Sequence, residues 1–308
     1  MGLHRLTRLT LGVPNVEEVA TYYEEFGLRA LGGDRFATLD GGEQLRLVSS
    51  PKRRAVEVGV AVEDADDLDK VSRKLSSLGI EHERFDGSLR TFDAGTGVAV
   101  VLEISAKVPS RRNVEADALP IHDGSPSREN GRADCLERPD TDLSPRRLGH
   151  VVLGSIDREA SERLFIDGIG FKVSDQIKDS ASFLRCSPDH HNLLISSASQ
   201  QYLHHTSWEV SDLDAVGQAA RKLLDADETR HVWGPGRHYV GSNFFWYLRD
   251  PAGNFTEYYA DMDVITDDEL WTPGVWEGAA AHYLWGPTPP GEIFDPEDLV
   301  AAMVGGHS

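Results

Sequence analysis

Glu257 stands in "NFTEYY", between Phe255 and Tyr259, in an apolar run whose alternate side chains belong in a core. A buried carboxylate without a partner is costly; it neutralises itself or finds a cation. Arg249 and Arg237 are close enough in sequence to be that partner. A metal ion is the other candidate. Redox-active iron that binds O2 is commonly held by two histidines and one carboxylate on one face, with other positions open. Two histidines have the matching placement in strand-like runs. His150 lies in "LGHVVLG", with Leu148 and Val152 on its side of the alternation. His205 lies in "YLHHTSWEV", sharing a face with Ser207 and Glu209, while His204, Thr206 and Trp208 share the other.

The elements that must carry these residues repeat along the chain. "LTRLTLGVPNVEEVATYYEEFGLRAL" from Leu6 is matched by "LGHVVLGSIDREASERLFIDGIGFKV" from Leu148. Each reads as a strand of alternating apolar positions, a turn, an amphipathic helix and a Gly-led second strand. Further on, "VGVAVEDADDLDKVSRKLSSLGI" is matched by "TSWEVSDLDAVGQAARKLL", each a strand followed by an Asp-started helix. The halves close on "DAGTGVAVVLEI" and "DPAGNFTEYYAD", a Gly turn and a strand. The unit is therefore strand, helix, several strands, present four times, and such a duplication fixes architecture more firmly than local propensity. Aligning the halves sets His150 against Arg8, His205 against Glu57 and Glu257 against Val101. The same unit thus occurs once with the three donors and once without them.

Between the halves, residues 107–147 are rich in Pro, Asp, Ser and Arg and lack apolar periodicity, as expected of a linker. After them, "LWTPGVWEGAAAHYLWGPTPPGEIFDP" is Trp-, Pro- and Gly-rich. It is expected either to fold over a pocket mouth or to pack between subunits. The chain of 308 residues is 40% apolar, enough for two domains with real cores. Its 31 basic and 51 acidic residues give a formal charge of -20, which disfavours nucleic acid and anionic membranes as partners. Cys135 and Cys186 are far apart and in no metal-binding spacing. No apolar run suits a signal peptide or a membrane span, so a cytoplasmic protein without disulfides is expected.

With the repeat and the three donors in place, nearly the whole chain outside linker and tail resembles the type I extradiol ring-cleaving catechol dioxygenases of the vicinal oxygen chelate superfamily. The resemblance implies an α+β fold of tandem βαβββ modules in mixed, curved sheets. It divides the chain into a domain without a metal site (1–106), the linker (107–147), a catalytic domain (148–265) and the tail (266–308). It implies Fe(II), or Mn(II), on His150, His205 and Glu257. His191, in "SPDHHNLLI" and fourteen residues before His205, matches the family's acid–base histidine; one member of the His190–His191 pair is expected to face solvent and one inward. His238 and Tyr247 match the pair that hydrogen-bonds the substrate hydroxyl, within a signature complete from Gly236 through Asp250, Pro251 and Gly253 to Glu257. Some relatives carry an acidic residue three places after the histidine; here it is Gly241.

The reaction so implied is O2-dependent cleavage of a catechol beside its hydroxyls to a hydroxymuconic semialdehyde, in a homo-oligomer (dimer or tetramer). Trp208, Trp233, Phe245 and Trp246 point to a flat, apolar substrate, and Arg237 or Arg230 is available for a carboxylate on the ring. Two other readings fit the fold. One is a different metal enzyme, an isomerase or a 2-oxo acid-type dioxygenase. The other is a ligand-sequestering protein, which needs no such triad.

Overall fold

The computed structural model describes residues 2–108, 121–122, 125–126 and 143–294. Most of the expected linker, including Cys135, and residues 295–308 lie outside the described residues. The amino-terminal half runs β1 (Arg5–Val13), α1 (Val16–Glu25), β2 (Arg29–Ala30), β3 (Arg35–Thr38), β4 (Gly42–Ser49), β5 (Arg54–Val62), α2 (Ala65–Ser77), β6 (His82–Phe85), β7 (Ser88–Asp93) and β8 (Val98–Ile104). A two-stranded piece, β9 (Ile121–His122) with β10 (Ser125–Pro126), follows. The second half runs β11 (Arg147–Ser155), α3 (Arg158–Glu162, continued by π-type turns to Ile169), β12 (Lys172–Ile177), β13 (Ala181–Arg185), β14 (Leu193–Ser197), β15 (Tyr202–Glu209), α4 (Leu213–Ala226), β16 (His231–Arg237), β17 (Phe244–Arg249) and β18 (Phe255–Ala260). In the tail, β19 (Gly274–Trp276) adds a strand beside β12.

The helix starts follow from the sequence. Asp64 caps α2 by accepting from Asp67 N (3.0 Å), Asp157 caps α3 through Ala160 N (3.0 Å), and Asp212 caps α4 through Ala215 N (2.9 Å). Behind each cap the apolar residues fall on one face: Leu68, Val71 and Leu75 in α2, Val216, Ala220 and Leu223 in α4, all buried. In every module the first strand runs parallel to the last: β1 with β4, β5 with β8, β11 with β14, β15 with β18. Modules join antiparallel through β1–β5 and β11–β15. The sheets, in the orders β2-β3-β4-β1-β5-β8-β7-β6 and β16-β17-β18-β15-β11-β14-β13-β12-β19, are the two mixed α+β sheets the repeat predicts.

The halves grip each other next to Glu257. Tyr22 and Tyr23 of α1, and Phe26 just after it, are buried against the second sheet. Phe26 stacks on Tyr258 with ring centroids 3.9 Å apart, and Tyr22 Oη lies 2.5 Å from Thr256 Oγ1. Tyr258 Oη donates to the Phe26 carbonyl at 2.7 Å. These two residues flank Glu257, so the amino-terminal half fixes β18 from its far side. Trp208 belongs to this interface, edge-on to Tyr23 and Phe26, and is not a pocket residue. The sheet is covered on both faces, which alternation alone does not reveal.

The Asp-Pro-Ala-Gly turn sets the register of β17 on β18. Asp250 accepts from Ala252 N (2.9 Å), Asn254 N (2.8 Å) and Asn254 Nδ2 (2.7 Å), and Gly253 N donates to the Asp250 carbonyl (2.9 Å). Pro251 follows the first corner and Gly253 takes φ +87°, a conformation other residues resist. The result pairs Tyr247 directly with Glu257.

Candidate metal centre

Three neighbouring strands deliver the three donors. His150 of β11 lies opposite Ser207 of β15, and Ser207 lies beside Glu257 of β18. His205 is two residues before Ser207 on the same strand. His150 Nε2 is 3.1 Å from Glu257 Oε2 and 3.3 Å from His205 Nε2; His205 Nε2 is 3.5 Å from the same carboxylate oxygen. Donors held about 2.1 Å from one divalent ion at right angles sit about 3.0 Å apart. The triangle therefore has the size of three ligands sharing a face. Glu257 is wholly buried, and among the described residues its Oε2 receives no hydrogen bond, whereas Oε1 accepts from Asn243 Nδ2 at 3.2 Å. Burial pushes this carboxyl up, but contacts with His150 and His238 outweigh it and hold it below the usual carboxylate range. A lone pair facing two imidazole nitrogens inside the protein fits a divalent metal. Among the described residues it is the only such cluster of three donors. Arg249 and Arg237, the alternative partners, pair elsewhere, with Glu292 (2.5 Å) and Asp261 (2.8 Å).

The amino-terminal half supplies the comparison. Arg8 lies opposite Gly59, and Gly59 beside Val101, the register of His150, Ser207 and Glu257; Glu57 takes the place of His205. Even the register shifts recur, between Leu6 and Arg8 and between Leu148 and His150. Where the second half presents three donors, the first closes on itself: Arg8 contacts Glu57 at 3.2 Å and Glu103 at 3.6 Å.

The tautomers that point the histidines inward are set by their outer contacts. The Ile293 carbonyl lies 2.5 Å from His204 Nε2 and can only accept, so His204 carries its hydrogen there. Burial holds His204 low, at about 4, and hence neutral. Its Nδ1 then accepts from His205 Nδ1 at 2.6 Å, leaving His205 Nε2 with a lone pair toward the cluster. A second chain has the same form. The Asp175 carboxylate takes the Nε2 hydrogen of His190 (2.9 Å), and His190 Nδ1 accepts from His191 Nδ1 (3.0 Å). His191 Nε2 is the nitrogen left to face the cavity, against which its ring packs 4.2 Å from that of His150. Burial first, then the neighbouring histidines, hold His191 well below its ordinary value. Among the described residues His150 Nδ1 has no hydrogen-bond partner; its ring is held by packing against His191 and Tyr259.

His238 and Tyr247 complete the wall. The His282 carbonyl accepts from His238 Nδ1 (2.6 Å), so His238 Nε2 accepts from Tyr247 Oη at 3.1 Å. His238 Nε2 is 3.6 Å from Glu257 Oε1. Burial and the Glu257 charge raise Tyr247 well above its ordinary value, keeping it a phenol. Five of the six residues singled out in the sequence thus line one cavity of about 270 Å³, and the sixth, Glu257, lies against His150 and His205.

Several expectations need correction. His190 and His191 are both buried, in a loop before β14 rather than on alternate faces of a strand. The loop is held by Asn192, whose Oδ1 accepts from Cys186 N and Ser187 N while Nδ2 donates to the Gly149 carbonyl. His204 lines the same cavity as His205, because the register shift between Val152 and Leu153 leaves one extra residue, His204 itself, on β15. Leu148 goes into the core and not onto the face of His150. Of the aromatics, Trp233 lines the cavity, Phe245 stacks behind His238, and Trp246 lies outside against His231. Gly241 has φ +85°, and a Cβ there would come within 3.3 Å of both His190 and His191, so this chain leaves little room for a side chain at that position.

The tail crosses the mouth. Trp233 Nε1 donates to the Pro287 carbonyl (2.8 Å), Arg237 N to Trp285 O (2.9 Å), and Ala281, His282, Ile293 and Phe294 line the cavity. His204→Phe keeps the ring and removes both of its hydrogen bonds. Metal affinity is expected to fall about 10- to 100-fold, the usual cost of losing such an outer partner. Competition with a chromophoric chelator measures it, and unchanged affinity would mean that the Ile293–His204–His205 chain does not hold the ligand.

Known proteins can be set beside this geometry. Residues 147–258 match the family model of the Glyoxalase/Bleomycin resistance protein/Dioxygenase superfamily. "Metapyrocatechase 2" of Cupriavidus necator is 28% identical over 298 residues, covering 94% of this chain and 91% of that protein. The "Manganese-dependent 2,3-dihydroxybiphenyl 1,2-dioxygenase" of Geobacillus genomosp. 3 is 23% identical, covering 86% and 83%. The Mn(II)-bound glyoxalase structure from Novosphingobium aromaticivorans superposes with a TM-score of 0.75 at 22% identity, covering 95% and 94%, a likeness of fold. The stretch that carries the His150–His205–Glu257 cluster is thus the part of the chain that matches the Glyoxalase/Bleomycin resistance protein/Dioxygenase superfamily.

Proposed function

We propose that this protein cleaves the ring of a catechol beside its two hydroxyls with O2, using iron or manganese held by His150, His205 and Glu257. The observation that carries the reading is the bare Glu257 Oε2 facing two imidazole nitrogens at the inner end of the cavity. The names of the long relatives agree with it. A divalent ion held there by His150, His205 and Glu257 would supply one coordination sphere for both catecholate and O2. The side chains do the rest. His191, with Nδ1 occupied by His190, has Nε2 free to take a proton from a substrate hydroxyl and return it later. Tyr247 Oη and His238 Nε2 lie side by side at Glu257 Oε1, placed to hold a substrate oxygen. Residues 281–294 close the mouth and limit water. Both atoms of O2 enter the product, so no external reductant is needed. The reading includes a cytoplasmic homo-oligomer.

The test is direct. Protein loaded anaerobically with Fe(II), then given catechols and air, is expected to consume O2 and form a yellow semialdehyde. Metal-loaded protein that takes up no O2 with any catechol would sink the reading. The bare amino-terminal copy also speaks against an isomerase drawing ligands from both copies.

A further inference from the structure

We infer that the ring taken by this site carries an uncharged alkyl or aryl substituent, and that catechols bearing a carboxylate are rejected; this rests on the ring-cleavage reading above. Away from the donors the cavity runs past Val152, Ala181, Phe183 and Leu194 to the hydroxyls of Ser180 and Ser196, with Ile177 at its outer end. Among the described residues no lysine or arginine lines it. The cations on the bordering elements are already matched to acids. Arg237 pairs with Asp261 and lies over the Phe244 ring (4.3 Å), and Arg249 pairs with Glu292. Lys178, next to Ile177, pairs with Glu277 (2.8 Å). Arg230 pairs with Glu25 (2.6 Å) and lies 5.4 Å from the Tyr22 ring, at the interface with α1. The two arginines that the sequence offers for a substrate carboxylate are therefore committed elsewhere.

The imidazoles of the lining supply no counter-charge either: burial and His238 hold His282 below its ordinary value. His204, His205 and His238 each spend a ring nitrogen on another group of the chain. A carboxylate on the substituent would enter an apolar channel with neutral hydroxyls, in a chain of formal charge -20, and would lose its water without gaining a counter-ion. An alkyl or aryl group loses nothing there and covers the walls formed by Val152, Phe183 and Leu194.

The experiment compares substituents of one shape and different charge. Isobutylcatechol and dihydroxyphenylacetate are used, each with the side chain at ring position 3 or 4, the methylene insulating the ring from the carboxylate. The neutral member is expected to show kcat/KM about 100-fold higher. Anaerobic binding to the metal-loaded protein, read from the ultraviolet change on catechol deprotonation, should give the same order without turnover. Ordered binding with no cleavage would defeat the ring-cleavage reading and leave this inference standing. A carboxylated catechol within tenfold of its neutral partner overturns it. Ser197→Arg, at an exposed position on the rim, is expected to narrow the gap at least tenfold by favouring the acid; an unchanged gap means that charge does not set the choice.

Discussion

Glu257→Gln is expected to lower the affinity for Fe(II) or Mn(II) by more than about 100-fold, beyond what loss of an outer partner costs. The substitution keeps shape and volume, so the grip of α1 on Thr256 and Tyr258 stays intact. What changes is the donor set. The carboxylate is the only charge in the cluster, and its Oε2 faces His150 Nε2 and His205 Nε2 at 3.1 and 3.5 Å. An amide offers either a neutral oxygen or two N–H groups aimed at the positions a cation needs. Metal content after dialysis, and the rise in Tm when metal is added, should both drop. A variant that keeps one metal per chain with the native Tm response would remove Glu257 from the ligand set. His205→Ala provides the matching test on the opposite donor.

The second large effect concerns His191. His191→Phe is expected to lower kcat by about 10²- to 10⁴-fold, the span of a lost acid–base group, while metal content is unchanged. The ring volume remains, so packing against His150 and Phe183 is preserved. What disappears is the Nε2 lone pair that the Asp175–His190–His191 chain turns toward the cavity. Stopped-flow measurements should show substrate still binding anaerobically and the later, proton-dependent steps slowed. A kcat within a few-fold of wild type would reassign the acid–base role. Loss of metal instead of rate would make His191 a support for His150.

How much of this the sequence shows depends on where regular alternation holds. The modules are legible because an aspartate starts α2, α3 and α4 and because Gly turns precede β8 and β18. Glu257 is legible because a charge in an apolar strand demands a partner. His190 and His204 as supporting residues are not, for a common physical reason. Each sits where the period of two breaks, His190 in a loop tied by Asn192 and His204 at a register shift. A doubled histidine, "HH", occurs at both places, and that repetition is the one signal available. Trp208 and Trp246 mislead because an aromatic in a strand fits a pocket, a domain interface or a surface equally well until the other half of the chain is placed.

The Arg8–Glu57 pair bears on how the two halves can change. Three replacements separate the bare copy from the donor copy, at positions 8, 57 and 101. Taken one at a time toward the donor set, each leaves something stranded. Arg8→His removes the guanidinium that Glu57 and Glu103 share, leaving Arg90 at 3.8 Å as the remaining contact of Glu57. Glu57→His removes a partner of Arg8, and Val101→Glu puts a third carboxylate beside Glu57 and Glu103. No single step gains a metal, since one or two donors do not make a site. A second metal centre is therefore separated from the present chain by a valley of poorer intermediates, and the first half stays a scaffold under drift.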